Sequence, residues 1–164
     1  MRTSIVSMHP RAAELITELK LERHPEGGYY REIFRSADLV APADGRGPRA
    51  ALTTIYFLLP AGIVSRWHRV TSDEVWHLYE GGPLEVLAVD PAFSAVSRHK
   101  LEPQAPVCTV AATHWQAART LGDYALTGCT VGPGFDFEDF TLLGNDAASA
   151  AHLLALDPEF ASLI

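Results

Sequence analysis

Apolar positions along the chain follow two different periods. Through RAAELITELKL, Leu15, Ile16 and Leu19 recur at helical spacing, and Pro10 suits a first helical position. The spacing predicts a helix over about 10–21, closed before Pro25. From Tyr29 to about Leu142 the period shortens to two, in brief runs broken by Gly, Pro and Asp: YYREIFRS, AALTTIYFLL, IVSRWHRV, EVWHLYE, LEVLAVD, VSRHKLE, VCTVA, WQAARTL, YALTGCTVG and FEDFTLL. About ten short strands at such close spacing predict a sandwich or barrel, not alternating strands and helices. The barrel would cover about 28–143. Residues 38–49, DLVAPADGRGPR, read as a flexible flap. The tail, about 146–163, returns to helical spacing, with Asn145 or Asp146 as a cap and Asp157-Pro158 opening a second short turn.

At 164 residues one domain with a full apolar core is expected. A net charge of −7, with basic residues scattered along the chain, argues against a nucleic-acid surface. Arg31, Arg35, Arg46, Arg49, Arg66 and Arg69 are interleaved with acidic residues and read as a solvated mixed face. Cys108 and Cys129 lie in strand-like apolar runs without CxxC spacing, so both are expected as buried free thiols. The opening MRTSIVSMHPRAAEL holds no signal-peptide run and no stretch reaches membrane-span length, which predicts a cytoplasmic protein with no membrane partner.

Candidate chemistry concentrates in two places. HPEGGYYREIFR joins turn residues to a strand, placing Tyr30, Glu32 and Phe34 on one face and Tyr29, Arg31, Ile33 and Arg35 on the other. His24 precedes the turn, as a rim or dimer contact. In SRWHRVTSDEVWHLYEGG, His68 can serve as acid or base, since an unperturbed imidazole titrates near neutrality. One of Asp73 and Glu74 must turn inward, and a carboxylate there needs a partner. Alternation puts Trp76 and Leu78 on the face of Glu74, with His77 pointing away. Gly132 to Phe140, GPGFDFEDF, reads as a turn whose aromatics close one barrel end, with Asp136 and Asp139 solvated or capping.

The spacing Gly62, His68, Val70, Glu74, Gly81 resembles the first cupin motif, G-x5-H-x-H-x3-E-x6-G, with Val70 in place of a histidine. AATHWQAA is similar to the second motif, with Ala111 and Thr113 for Pro and Gly, and Gln116 where a third histidine would stand. HPEGGYYREIFRS, TTIYFLLPAG, SRWHRVTSDEVWHLYEG, HWQAA and GCTVGPGFDFEDF, in that order, resemble the small cupin-5 subfamily over about Leu15 to Phe140. The resemblance implies an all-β double-stranded β-helix, the jelly-roll cupin barrel, with short helices at both termini, and a homodimer. It leaves His68, Glu74 and Gln116 as the metal set, one that holds a divalent ion only weakly. His77 or His114 would have to supply a further ligand, and no cofactor is required. GGYYREIF is also similar to the early strand of sugar-nucleotide 3,5-epimerases, which places Tyr30 and Glu32 in the cavity with His68.

Three functions follow. In the first, a metal-independent epimerase or isomerase acts on a small polar, sugar-like molecule, with His68 as base, Glu74 orienting it, and Tyr30 or Tyr124 as acid. Glu32, Trp76, Gln116 and His24 are the candidate ligand-binding residues. The alternatives are a divalent-metal-dependent cupin enzyme and a non-catalytic small-molecule binding or sensing module.

Overall fold

Pro10 opens helix α1 (Pro10–Glu18), and the preceding His9 accepts the Arg11 N–H on its Nδ1 at 3.2 Å. The helix stops short of the expected residue 21 because the chain turns at Lys20, which takes a φ of +53°. Ala12 and Leu15 pack on Leu21, Leu58 and Leu126, covering part of the outer face of one sheet. The computed structural model describes residues 8–164. The part of the signal-peptide reading that rests on residues 1–7 lies outside the described residues.

The strands are β1 (Glu22–Arg23), β2 (Tyr29–Arg35), β3 (Leu39–Val40), β4 (Arg49–Ala50), β5 (Thr53–Pro60), β6 (Val64–Val70) and β7 (Asp73–Gly81). They continue with β8 (Leu84–Val89), β9 (Val96–Leu101), β10 (Val107–Val110), β11 (Trp115–Thr120), β12 (Tyr124–Gly132) and β13 (Phe140–Leu142), before helix α2 (Ala147–Leu156). All pair antiparallel. One sheet has the order β1-β2-β5-β12-β7-β10, the other β13-β6-β11-β8-β9, and β3-β4 form a separate ribbon. The chain is mostly β, and its two sheets pack face to face as the expected jelly roll.

Alternation along the strands sorts the core into layers. Phe57, Trp76, Cys129, Val86 and Ala118 meet between the sheets. Trp67, Trp115 and Leu87 point outward from the second sheet and are covered by Leu153 of α2 with Phe160 and Leu163 of the tail. Asp146 caps α2 by accepting the Ser149 N–H at 3.0 Å, and Asp157 caps the final turn through the Glu159 N–H at 2.9 Å. Both cysteines are buried and unpaired. No helix among the described residues is long and apolar enough to cross a membrane.

Three local expectations change. The 38–49 segment is no free flap: its ends pair as β3 and β4, and Arg49 makes two 2.9 Å bonds to Asp139. Arg46 joins the same carboxylate at 3.3 Å and donates to Ser72 and Thr71. Arg46, Arg49 and Asp139 are therefore a largely buried cluster, where a solvated face and a solvated acid were expected; Asp136 does cap, accepting the Glu138 N–H at 2.8 Å. In β2 the register to β5 slips between Glu32 and Phe34, so Ile33 has no partner. This bulge reverses the alternation beyond it. Phe34 turns outward, and Arg35 joins Glu32 on the inner face with bonds of 2.9 and 2.7 Å.

The turn before β2 seats closely against β6. Arg66 N–H donates to the Glu26 carbonyl at 2.9 Å. Gly27 has a φ of +113°, and a Cβ there would lie 2.1 Å from the Val64 carbonyl oxygen. Gly27→Ala should destabilise the fold by about 3 kcal/mol, from backbone strain and a clash with main chain. Urea unfolding will check this; a change below about 1 kcal/mol would mean the turn does not bear on β6 as described.

Candidate functional site

The two sheets enclose a cavity of about 480 Å³ that opens between β2 and the 133–140 segment. His24, Glu26, Tyr30, His68, Glu74 and Cys129 are among the residues that line it. Four of these titratable groups arrive from three parts of the chain. His24 and Glu26 come from the turn between β1 and β2, His68 from the middle of β6, and Glu74 from the start of β7. A bulge in β6 matters here too. Opposite β11 the register slips between Ser65 and His68, so both side chains face the interior although three positions apart.

Hydrogen bonds fix the proton positions. His68 Nδ1 lies 2.7 Å from the Arg66 carbonyl, which can only accept, so Nδ1 carries a proton. Its Nε2 faces Glu26 Oε2 at 3.2 Å, and Glu26 Oε1 accepts from Ser65 Oγ at 2.7 Å. The Glu26 N–H donates to His24 Nδ1 at 3.2 Å, which leaves His24 neutral with its proton on Nε2. A single proton therefore occupies the Glu26–His68 contact. Burial lifts Glu26 to about 8, against the pull of the Ser65 bond, and burial lowers His68, so the neutral acid–imidazole form is favoured. Burial, with neighbouring His68, lowers His24 to about 3.

Glu74, not Asp73, turns inward; Asp73 instead accepts the Ala112 N–H at 2.8 Å. Glu74 Oε2 accepts from Gln116 Nε2 at 2.6 Å, and Gln116 Oε1 accepts from the Trp76 indole N–H at 2.9 Å. Burial raises Glu74 to about 7, opposed by His68 and the Gln116 bond. Trp76 and Gln116, expected on the ligand wall, stand behind Glu74 and do not line the cavity. At the mouth, Tyr30 packs edge-on to His24 at 4.6 Å, and Glu32 is held by Arg35. Arg35 also donates to the Phe135 carbonyl at 3.1 Å, tying the 133–140 segment across the opening. Phe137 lies over His24 with ring centroids 6.1 Å apart.

Several expectations need correction. Glu74 was to orient His68, but the side chain touching His68 Nε2 is Glu26, which turn chemistry alone gave no reason to single out. A carboxylate directly before two glycines was the one available signal, and its Ser65 partner lies 39 positions away. Tyr124 is no cavity acid: its hydroxyl donates to Glu80 at 2.8 Å on the outer side near α1. His77 and His114 do not reach the cavity either. The set His68, Glu74 and Gln116 does not fit a metal ion, because the Gln116 oxygen is turned to Trp76 and its NH2 meets Glu74. Among the described residues no three or more His, Cys, Asp or Glu side chains are grouped to hold one.

The profile of Cupin_5, described as Cupin superfamily (DUF985), matches residues 13–143. A hypothetical protein from Leishmania major is 32% identical, with a TM-score of 0.79 over 93% of this chain and 96% of that one. A Shewanella oneidensis protein is 33% identical, with a TM-score of 0.73 over 88% and 94%. A cupin 2 domain-containing protein from Halorhodospira halophila, 22% identical with a TM-score of 0.57 over 87% and 86%, shares the fold. No protein of curated function matches the chain.

The buried groups predict a distinctive pH profile of stability. Glu26 and Glu74 hold protons in the folded state up to about 8 and 7, but release them near 4.5 when unfolded. Their contribution is complete below 4.5 and is lost as pH rises through 7 and 8. His24 and His68 act oppositely: they stay neutral when folded but bind protons below 6.5 when unfolded, so their contribution is lost as pH falls below 6.5. Stability should be level between about 4.5 and 6.5 and fall on both sides. In Glu26→Gln the decline from pH 6.5 to 8 should become shallower; urea midpoints across pH will measure it, and an unchanged slope would contradict the assignment.

Proposed function

Because the chain belongs to the Cupin_5 family (DUF985) of the cupin superfamily, we propose that its barrel binds a small polar, sugar-like molecule and moves a proton on it without a metal, as an epimerase or isomerase does. The observation that carries this reading is the Glu26–His68 contact inside the cavity, with His68 held by the Arg66 carbonyl so that Nε2 meets the carboxyl at 3.2 Å. Such a pair interconverts between acid–imidazole and carboxylate–imidazolium without changing its net charge. The second form supplies a carboxylate base without placing a net charge in the barrel. The cavity volume, about 480 Å³, suits a molecule of sugar size.

The step balances with the groups present. Glu26, as carboxylate, takes the proton from a carbon beside a carbonyl, while His68 stays protonated. The C–H electron pair becomes the C=C bond of an enol, and the carbonyl oxygen receives the proton of Glu74. Reversal returns hydrogen to carbon and the enol proton to Glu74. Delivery from the other face by the Tyr30 hydroxyl inverts the centre, the enol proton again returning to Glu74, and Tyr30 and Glu26 are reset by exchange of one proton with solvent. Glu32 and His24 at the mouth orient the hydroxyls.

Incubating the protein in D2O with a panel of keto- and aldo-sugars, free and nucleotide-linked, tests this by NMR. Deuterium should enter beside the carbonyl of at least one compound. The exchange should fall by about 100-fold or more in His68→Asn and in Glu26→Gln. Compounds that bind yet exchange nothing would remove the proton-transfer reading and leave a non-catalytic binding module.

A further inference from the structure

Position 116 reaches across the barrel interior. On β11 it is the cross-strand neighbour of His68, yet its side chain contacts Glu74 and Trp76 of the opposite sheet. A carboxamide has one accepting end and one donating end, and what decides which end meets Glu74 is Trp76. An indole N–H can only donate. Trp76 is 1% exposed and Gln116 fully buried, so neither has water as a substitute partner. With the amide reversed, two N–H donors would face each other at the indole, and the amide oxygen would face the carboxyl of Glu74. Burying two unmet donors makes that arrangement unfavourable.

We propose that Trp76 is the specificity-determining residue of this cavity: by claiming the Gln116 oxygen, it makes position 116 a hydrogen-bond donor to Glu74 and closes the site to divalent cations, leaving it to organic ligands. A cation beside His68 and Glu74 needs another electron pair. The Glu26 oxygens are engaged by Ser65 and by His68 itself, and the remaining oxygen, on Gln116, is turned away. The inference concerns the same cavity as the proposed function and rests on its being a ligand site. A cation-binding measurement probes it independently of any turnover.

Cobalt(II) alone is the probe, followed by calorimetric titration and its visible absorption. The wild-type protein should show no saturable binding that depends on Glu74. Trp76→Phe/Gln116→His should take up one cobalt per chain, at least tenfold more tightly than wild type, and lose it when Glu74→Gln is added. Gln116→His alone should stay closed, because the indole still claims the accepting nitrogen. Glu74-dependent cobalt binding by the wild type would overturn the proposal, as would a folded double variant that binds none. Should the double variant not fold, the wild type decides by NMR. The Trp76 indole N–H resonance should be unaffected by manganese(II), and its broadening would overturn the proposal.

Discussion

The turn carrying Glu26 clasps the two sheets together at the cavity end of the barrel. It is chained to the first sheet through β1 and β2, yet its carbonyl accepts the Arg66 N–H and its carboxyl accepts Ser65 Oγ, both from the second sheet. The hydrogen bonds of a sheet run within it, so face-to-face sheets are otherwise joined by non-directional apolar contacts. Here a main-chain bond and a side-chain bond from this turn, with the Gln116 bonds to Glu74 and Trp76, fix their relative position at the place where the polar groups converge. Gly27 allows the approach, because any side chain there would meet the Val64 carbonyl.

That clasp also explains how four titratable groups share one interior. Glu26 uses one oxygen for the sheet contact and the other for His68, while its own backbone N–H neutralises the accepting nitrogen of His24. Glu74 sits apart, held by an amide whose orientation an indole controls. The Nδ1 of each imidazole is thus set by a partner that can only donate or only accept, and the two acids are kept neutral beside them. A set lacking those one-way partners would settle its charges by unfolding locally or by admitting water.

The alternating β pattern, the barrel and the inward course of His68 and Glu74 were legible because they follow from period-two spacing and motif distances within one hairpin. Glu26 was not, since its partners come from β6 and nothing in the turn requires them. Arg35 was placed on the wrong face because a bulge leaves no signature in composition: YYREIFR alternates evenly, and only its pairing with β5 shows Ile33 left over. Asp139 looked like a surface acid for a similar reason, as both its arginines arrive from a segment some ninety positions earlier. Local rules read strands well; long-range polar pairing is settled only once the chain has folded.

The bulge at Ile33 has a consequence for how this barrel can diversify. Whether a guanidinium or a phenyl ring meets an incoming ligand is decided by backbone count, since Phe34 and Arg35 exchange places with a one-residue change in length. A deletion in β2 would convert a charged, tethered entrance into a greasy and untethered one in a single event, leaving the deeper wall untouched. Relatives built on this frame can therefore change what they admit by altering strand length, a route that comparisons of aligned residue identities would overlook.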